Sequence, residues 1–164
     1  MADRVDLTRF YSSGIFLDTN LLVLLVVGRT NRSFIGSEKV TSSFTPAEYD
    51  DLVRLLRPFH RRFSLPHVFT ETSNLLGKSS GQRRQAYFRT FARLIGEFEE
   101  LTVESREPAE HPHFDRFGLV DLAILVAARD RLLIVTDDFR FADYAARRGA
   151  QVMPWRDRRL ATEP

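Results

Sequence analysis

The sequence predicts an α/β protein, a three-layer α/β/α sandwich around a central, mainly parallel sheet of four to five strands. Short apolar runs of strand length alternate with longer segments of helical periodicity, as in parallel sheets that are covered on both faces. The 164 residues are the length of one domain with one core. The hydrophobic fraction of 43% and the charged fraction of 28% exclude a collagenous, coiled-coil or mostly disordered chain.

The first half of the chain contains two predicted strands and four predicted helices. Apolar runs predict strands over 14–17 and 63–65, and helical periodicity predicts helices over 21–27, 45–59, 66–76 and 82–99. Gly28 and Gly77 are the expected ends of the first and third helices. Thr45, Pro46 and Glu48 have the pattern of a capping box with proline in the first turn. Residues 29–44 are polar and aperiodic, which predicts a loop or an insertion.

The second half repeats the alternation. We expect strands over 101–103, 132–135 and 151–153, and helices over 119–129 and 139–148. The stretch 104–117 contains Pro108 and Pro112 and should be mostly loop. Residues 1–164 are interpreted as a single domain, with an N-terminal extension over 1–13 and a C-terminal tail over 156–164. The sequence shows no internal repeat and no low-complexity tract.

Composition predicts a soluble, cytoplasmic protein. The chain has no cysteine, no apolar run of membrane-spanning length, and charged residues where a secretory signal would be apolar. The net charge is +2, and only two of the 24 basic residues are lysine, which leaves 22 arginines. Arginine pairs could follow a nucleic-acid backbone, although solvated helix faces or arginine-rich codon usage would look similar. These pairs are Arg61 and Arg62, Arg83 and Arg84, Arg147 and Arg148, and Arg158 and Arg159.

Asp18 comes directly after the first predicted strand. Open α/β sheets bind ligands beyond the carboxyl ends of their strands, which is where this residue falls. Alternatively, Asp18 caps the following helix together with Thr19 and Asn20, a common role of these residue types. The sequence leaves both interpretations open.

Asp121 is the only polar residue from Leu119 to Ala128, and Ile124 and Leu125 share its helical face. A buried, isolated carboxylate costs several kcal/mol or takes up a proton unless it is paired or binds a metal. The alternative is stabilisation by the dipole and free amides of the nearby helix N-terminus. We favour a functional role, because an acid on an apolar stripe needs a partner.

Three more acids follow the same logic. Glu71 lies between Val68 and Leu75 on the predicted core face of its helix, although an exposed glutamate is an equally good interpretation. Asp137 and Asp138 follow a strand that ends near Thr136, so one could cap the next helix while the other points into the crevice. The sequence does not distinguish the two.

The acids are informative together. Two positions follow strands and two lie on apolar helix faces, so their carboxylates could converge on one crevice. Carboxylates without His or Cys suit Mg²⁺ or Mn²⁺, which prefer oxygen ligands. Such an ion can hold a phosphodiester and activate water against it.

These residues resemble the PIN (PilT N-terminus) domain family of metal-dependent ribonucleases and, in overall size, the VapC-type toxins of bacterial toxin–antitoxin pairs. The resemblance extends over most of 14–155 and is strongest at 16–22, at Glu71 after Pro66, at 121–128 and at 135–139. Two features depart from compact toxins: 13 residues precede the first strand, and the segment 29–44 is long and polar.

The resemblance implies a PIN-like fold and a set of site residues. It assigns Asp18, Glu71, Asp121 and, in preference to Asp137, Asp138 to a catalytic site that binds Mg²⁺ or Mn²⁺. It also places Thr136 in the site and gives Asn20 the role of supporting the first acid.

The implied activity is hydrolysis of RNA phosphodiester bonds by a toxin that a cognate antitoxin protein restrains. Arginine pairs, of which Arg61, Arg62, Arg83 and Arg84 are the candidates, would hold the RNA. Apolar surface on the helices over 45–59 or 82–99 could serve a homodimer or the antitoxin. The alternatives are a non-catalytic RNA- or protein-binding module and, less favoured, an α/β phosphatase.

Overall fold

The computed structural model describes residues 6–156, in which five parallel strands form one sheet. The strands are β1 (Ile15–Leu17), β2 (Arg62–Ser64), β3 (Glu99–Glu100), β4 (Leu133–Thr136) and β5 (Gln151–Pro154). Their order across the sheet is β3-β2-β1-β4-β5, so the first strand lies at the centre. The predicted α/β class, with a three-layer arrangement and a parallel sheet of four to five strands, is confirmed.

Helices connect the strands, as parallel pairing requires. Those of the described residues are α1 (Thr19–Thr30), α2 (Pro46–Leu56), α3 (Pro66–Leu76), α4 (Gly81–Ile95), α5 (Arg106–Ala109), α6 (Phe114–Ala128) and α7 (Phe139–Arg147). Short 3₁₀ turns occur at Leu7–Phe10, Arg32–Phe34 and Lys39–Thr41. In the part of the chain that the structure describes, no helix is both long enough and apolar enough to cross a membrane.

The centre of the core is β1 and the helix that follows it. Every residue of 21–28 is buried, because α1 contacts α2, α3 and α4 as well as the sheet. The predicted helix end at Gly28 is wrong, since the helix continues to Thr30. Gly28 has a packing role instead: a Cβ atom at this position would overlap the ring of Tyr49. Glycine lets α2 approach α1 closely.

The signals at helix starts predicted local structure well. At the start of α2, the backbone N–H of Glu48 donates to Thr45 Oγ1 at 3.2 Å, and the Thr45 N–H donates to Glu48 Oε2 at 2.9 Å. This confirms the predicted capping box. Helix α3 has the predicted bounds, with Pro66 first and Gly77 immediately after its end.

Three boundary predictions were wrong. The strand expected over 101–103 is instead Glu99–Glu100, and the helix predicted to reach residue 99 ends at Ile95. The stretch 104–117 is not mostly loop: it contains α5 and the first turn of α6. Helix α6 continues through Gly118, whose φ of 73° and ψ of −174° kink it, and this interruption hid the earlier start.

The terminal and insertion predictions have mixed outcomes. Residues 29–44 form two 3₁₀ turns and bury Ile35, Thr41 and Phe44, so this segment is packed against the core rather than a free loop. In the predicted N-terminal extension, Phe10 is buried as well. Except for Arg156, the predicted C-terminal tail lies outside the described residues, as does the pair Arg158 and Arg159.

Candidate functional site

Asp18 occupies the end of the central strand and is 5% exposed. Its Oδ1 accepts the backbone N–H of Leu21 at 2.9 Å and so caps α1. Its Oδ2 accepts the hydroxyl of Thr136 at 2.7 Å and the backbone N–H of Asp137 at 2.6 Å. The capping alternative is therefore right for one oxygen, while the other connects the loop after β1 to the loop after β4.

Burial governs the electrostatics of Asp18. Loss of water contact raises the pKa of this carboxyl from 3.8 to about 6, although the hydrogen bonds from Thr136, Leu21 and Asp137 lower it. The nearby charge of Asp137 adds to the increase. The protein thus holds a carboxylate where its negative charge is poorly solvated, a situation that a cation would relieve.

Thr136 is the link between two of the acids. Its hydroxyl donates to Asp18 and accepts the backbone N–H of Asp138 at 3.0 Å. Asp138 is exposed and caps α7, because its Oδ1 accepts the N–H groups of Arg140 at 2.7 Å and Phe141 at 3.0 Å. Thr136 therefore lies next to both Asp18 and Asp138.

Asp137 and Asp138 have different roles. The guanidinium of Arg156 donates to both carboxylate oxygens of Asp137, at 3.0 and 3.4 Å. The carboxylate of Asp137 is thus paired with Arg156, whereas the backbone N–H of Asp137 donates to Asp18. The pairing favours Asp138 as the fourth acid of the site.

Glu71 approaches the site from α3. Its Oε2 accepts the hydroxyl of Thr19, the first residue of α1, at 2.6 Å. Thr19 directly follows Asp18, so this bond draws the glutamate toward the first acid. The side chain of Glu71 is exposed, as the alternative interpretation held, yet it lies at the same edge of the sheet.

Asp121 lies on α6 and is partly buried. Burial is the largest cause that raises its pKa from 3.8 to about 7, followed by the charges of Asp138, Asp18 and Glu71. The charges of acids from the loop after β1, from α3 and from the loop after β4 therefore act on this residue of α6.

The carboxylates do not form a closed coordination shell. Within 6–156, no three His, Cys, Asp or Glu side chains have the geometry to hold a metal ion together. Three of the acids are turned toward protein donors, since Asp18 and Asp138 cap helices and Glu71 bonds Thr19. Mg²⁺ binds through one or two carboxylates and keeps several waters, so an open set of oxygens fits it better than it fits Ca²⁺, which takes six to eight ligands.

Asn20 does not support Asp18 by a hydrogen bond among the residues that the structure describes. It is exposed in the first turn of α1, and Thr136 with two backbone N–H groups fills the role predicted for it. Asn20 is the second residue of the helix that Asp18 caps, whereas the donors to Asp18 come from Leu21 and from the loop after β4.

The four arginines proposed to hold RNA lie away from the acids. The carbonyl of Arg61 accepts the N–H of Ile15 at the start of β1, so Arg61 and Arg62 lie at the opposite edge of the sheet, where Arg61 pairs with Glu99. Arg83 pairs with Glu38 and Arg84 stacks on Phe88. Glu38 follows the far end of α1, a helix about 18 Å long.

Three site residues escaped the sequence analysis. The sequence indicates Thr19 only as part of a cap, places Arg156 in a tail, and gives no signal for Arg140 in the first turn of α7. The proximity of Thr19 to Asp18 was the available signal. No sequence pattern predicts the ion pair between Arg156 and Asp137, which lies 19 positions earlier.

No family model matches the sequence, no curated protein is significantly similar to it, and no solved structure matches the fold.

Proposed function

We propose that this protein is a cytoplasmic endoribonuclease that uses Mg²⁺ or Mn²⁺ to hydrolyse phosphodiester bonds in RNA. One observation carries the proposal: at the carboxyl edge of a parallel sheet, burial and then the charges of Asp138, Asp18 and Glu71 raise the pKa of Asp121 to about 7. Ligands of open α/β sheets bind at this edge. Mutual repulsion of this kind is relieved by a divalent cation.

The carboxylate oxygens that accept no hydrogen bond within the described residues indicate how a cation would be held. Among the described residues, nothing donates a hydrogen bond to either oxygen of Asp121, to Oε1 of Glu71 or to Oδ2 of Asp138. Asp18 already accepts three hydrogen bonds, so we expect it to orient the other acids and to add negative charge to the site rather than to bind the ion directly. We therefore assign direct binding to Asp121, a role through metal-bound water molecules to Glu71 and Asp138, and orientation to Asp18 with Thr136.

A bound divalent ion would polarise the phosphodiester and lower the pKa of a water molecule that attacks it. The protein's own residues keep the site open for the phosphodiester and for the water molecule. The Asp18–Thr136 connection holds the loops after β1 and β4 together, and the cap on α7 fixes the backbone of Asp138. Arg156 neutralises Asp137, which removes one negative charge from the approach of an anionic substrate.

RNA as the polymer, and a toxin restrained by an antitoxin protein as the biological setting, come from the PIN-domain resemblance. In that setting the antitoxin would cover the acidic edge, and a basic side chain would replace the cation among the carboxylates. Expression of the wild-type chain alone should then arrest growth, whereas Asp121→Asn should not.

A second candidate is a non-catalytic RNA- or protein-binding module. The observation in its favour is that two of the four acids, Asp18 and Asp138, cap helices and so have a structural reason to be present. For such a module, Mg²⁺ should change neither the stability of the protein nor the integrity of RNA.

Cleavage of a pool of structured and single-stranded RNA distinguishes the two. Wild-type protein should cut with Mg²⁺ or Mn²⁺ and not with EDTA, and DNA of the same sequence tests the polymer. Asp121→Asn should abolish cutting, whereas the matched control Asp130→Asn removes an exposed carboxylate just after the far end of α6 and should leave it intact. Absence of cutting by the wild-type protein, with no thermal shift on adding metal, would refute the nuclease.

A further inference from the structure

Phe139 is an unusually exposed aromatic side chain. Three large hydrophobic side chains are exposed among the described residues: Ile95 and Phe114 at 37%, and Phe139 at 68%. A phenylalanine ring left in water forgoes the stabilisation of about 1.5–3 kcal/mol that its burial would give. The exposure of Phe139 is therefore a feature to explain.

The ring lies beside the acidic site. Phe139 directly follows Asp138, so their Cα atoms are about 3.8 Å apart. It is also the first residue of α7, whose N-terminus Asp138 caps. An aromatic side chain thus stands at the edge of the sheet where the four carboxylates meet.

Its backbone is held firmly. Asp138 Oδ1 accepts the N–H groups of the two residues after Phe139, and the second of these, Phe141, is fully buried. Phe139 therefore lies between the residue that caps α7 and a residue whose side chain is buried in the core. A fixed backbone limits the positions that the ring can take, which lowers the conformational entropy lost when a ligand binds to it.

Other rings nearby have partners within the fold. Phe117 packs against Phe141 and Tyr144, at centroid distances of 6.2 and 4.5 Å. In contrast, Phe139 contacts no aromatic ring and no cationic side chain in the described part of the chain. Its faces are available to a ligand.

We propose that Phe139 is a stacking platform for an unpaired nucleobase next to the scissile phosphate, which makes single-stranded RNA the substrate class; this inference rests on the nuclease function proposed above. Aromatic side chains stack on any base, but only on bases outside a duplex. The neighbouring Arg140 is exposed and supplies positive charge for the phosphate beside that base. A continuous duplex offers no free base face and is a poor substrate.

Steady-state cleavage of a single-stranded RNA tests the platform. Loss of one stacked base should raise KM at least about fivefold. We expect this increase in both Phe139→Ala and Phe139→Leu, because leucine keeps the apolar surface but lacks the aromatic face. Phe139→Trp should cleave like the wild type, and so should Ile95→Ala, which removes an exposed apolar side chain from α4.

Fluorescence gives a direct readout of stacking. The natural chain has one tryptophan, Trp155, which is fully buried, so the indole introduced by Phe139→Trp reports on the site. In an Asp121→Asn background, which prevents cleavage, oligouridylate should quench this indole. An abasic ribose-phosphate oligomer of the same length should not.

The outcomes separate the two proposals. If wild-type protein cleaves RNA with metal while Phe139→Ala keeps its KM, the stacking inference is wrong and the nuclease stands. Full activity in Phe139→Leu would also overturn stacking and point to an apolar contact, such as a protein partner. If the wild-type protein does not cleave RNA at all, both proposals fall.

Discussion

Replacing Asp121 by asparagine should stabilise the metal-free protein. The substitution keeps the shape of the side chain and removes a charge that burial and three neighbouring carboxylates oppose. A residue kept in a state that destabilises the fold is characteristic of a functional site. Its replacement therefore tests the electrostatic basis of the whole cluster.

The size of the effect follows from the pKa. An increase from 3.8 to about 7 corresponds to an upper limit of about 4 kcal/mol, at about 1.4 kcal/mol for each pKa unit. Asp121 keeps part of its surface in water, and solvent screening reduces the penalty to about 2 kcal/mol. For a domain of this size, that shifts the melting temperature by about 4–8 °C.

The pH dependence has a definite sign. Between pH 3.8 and about 7 the folded state keeps a proton on Asp121 that the unfolded state has lost, so the stability of the wild type falls as pH rises through this range. Asparagine does not titrate. The advantage of the variant should be largest at pH 8 and absent near pH 4.

Urea unfolding at pH 4 and pH 8, followed by circular dichroism in EDTA, measures both quantities. Asp130→Asn serves as the control, because that carboxylate is exposed and should change stability little. The reasoning would be refuted if Asp121→Asn were no more stable than the wild type at pH 8. It would also be refuted if the stability advantage of the variant were the same at pH 4 as at pH 8.

Metal binding, capping and close packing give further expectations. Mg²⁺ at ten times its dissociation constant should stabilise the wild type by about 1.4 kcal/mol and should not stabilise Asp121→Asn, as thermal melts will show. Thr136→Val removes the hydroxyl that bonds Asp18 and should cost about 1–3 kcal/mol in urea unfolding and abolish cleavage, whereas unchanged stability would contradict the link. Thr45→Ala breaks the capping box and should cost about 1 kcal/mol with cleavage retained; a loss of cleavage would argue for a wider role. Gly28→Ala should cost about 1–3 kcal/mol by calorimetry, because its methyl group would overlap a tyrosine ring of α2, and a neutral result would mean that α2 can move away.

Two of the acids proposed to form the site also have a structural role. Asp18 and Asp138 stabilise helices through one oxygen each, and this fixes where their other oxygens lie. The capping interpretation of Asp18 is therefore right, and it is compatible with the functional role proposed for the other oxygen. The capping role of Asp18 and Asp138 also makes Asp121, which has no cap to form, the position where a substitution separates stability from function most cleanly.

The two edges of the sheet differ in character. Acids gather at the carboxyl edge, whereas a shallow pocket of about 490 Å³ at the other edge is lined by Arg61, Arg129 and Arg131 among others. Arginine pairs in the sequence suggested phosphate contacts but carried no information on which edge they occupy. At the acidic edge, Arg140 and Arg156 are the arginines whose substitution would test the proposed RNA binding.

The sequence by itself determined the alternation of strands and helices, the capping box at Thr45 and the acids that follow β1 and β4. These features depend on neighbouring residues, whose periodicity and capping chemistry are local. Tertiary structure decided how the acids are connected: Thr19 bonds Glu71 across 52 positions, and Thr136 bonds Asp18 across 118. The tertiary structure also decided that Arg156 forms an ion pair with Asp137 and that the ring of Phe139 remains exposed to solvent. The sequence could not show either feature, because contacts between distant segments form only when the chain packs.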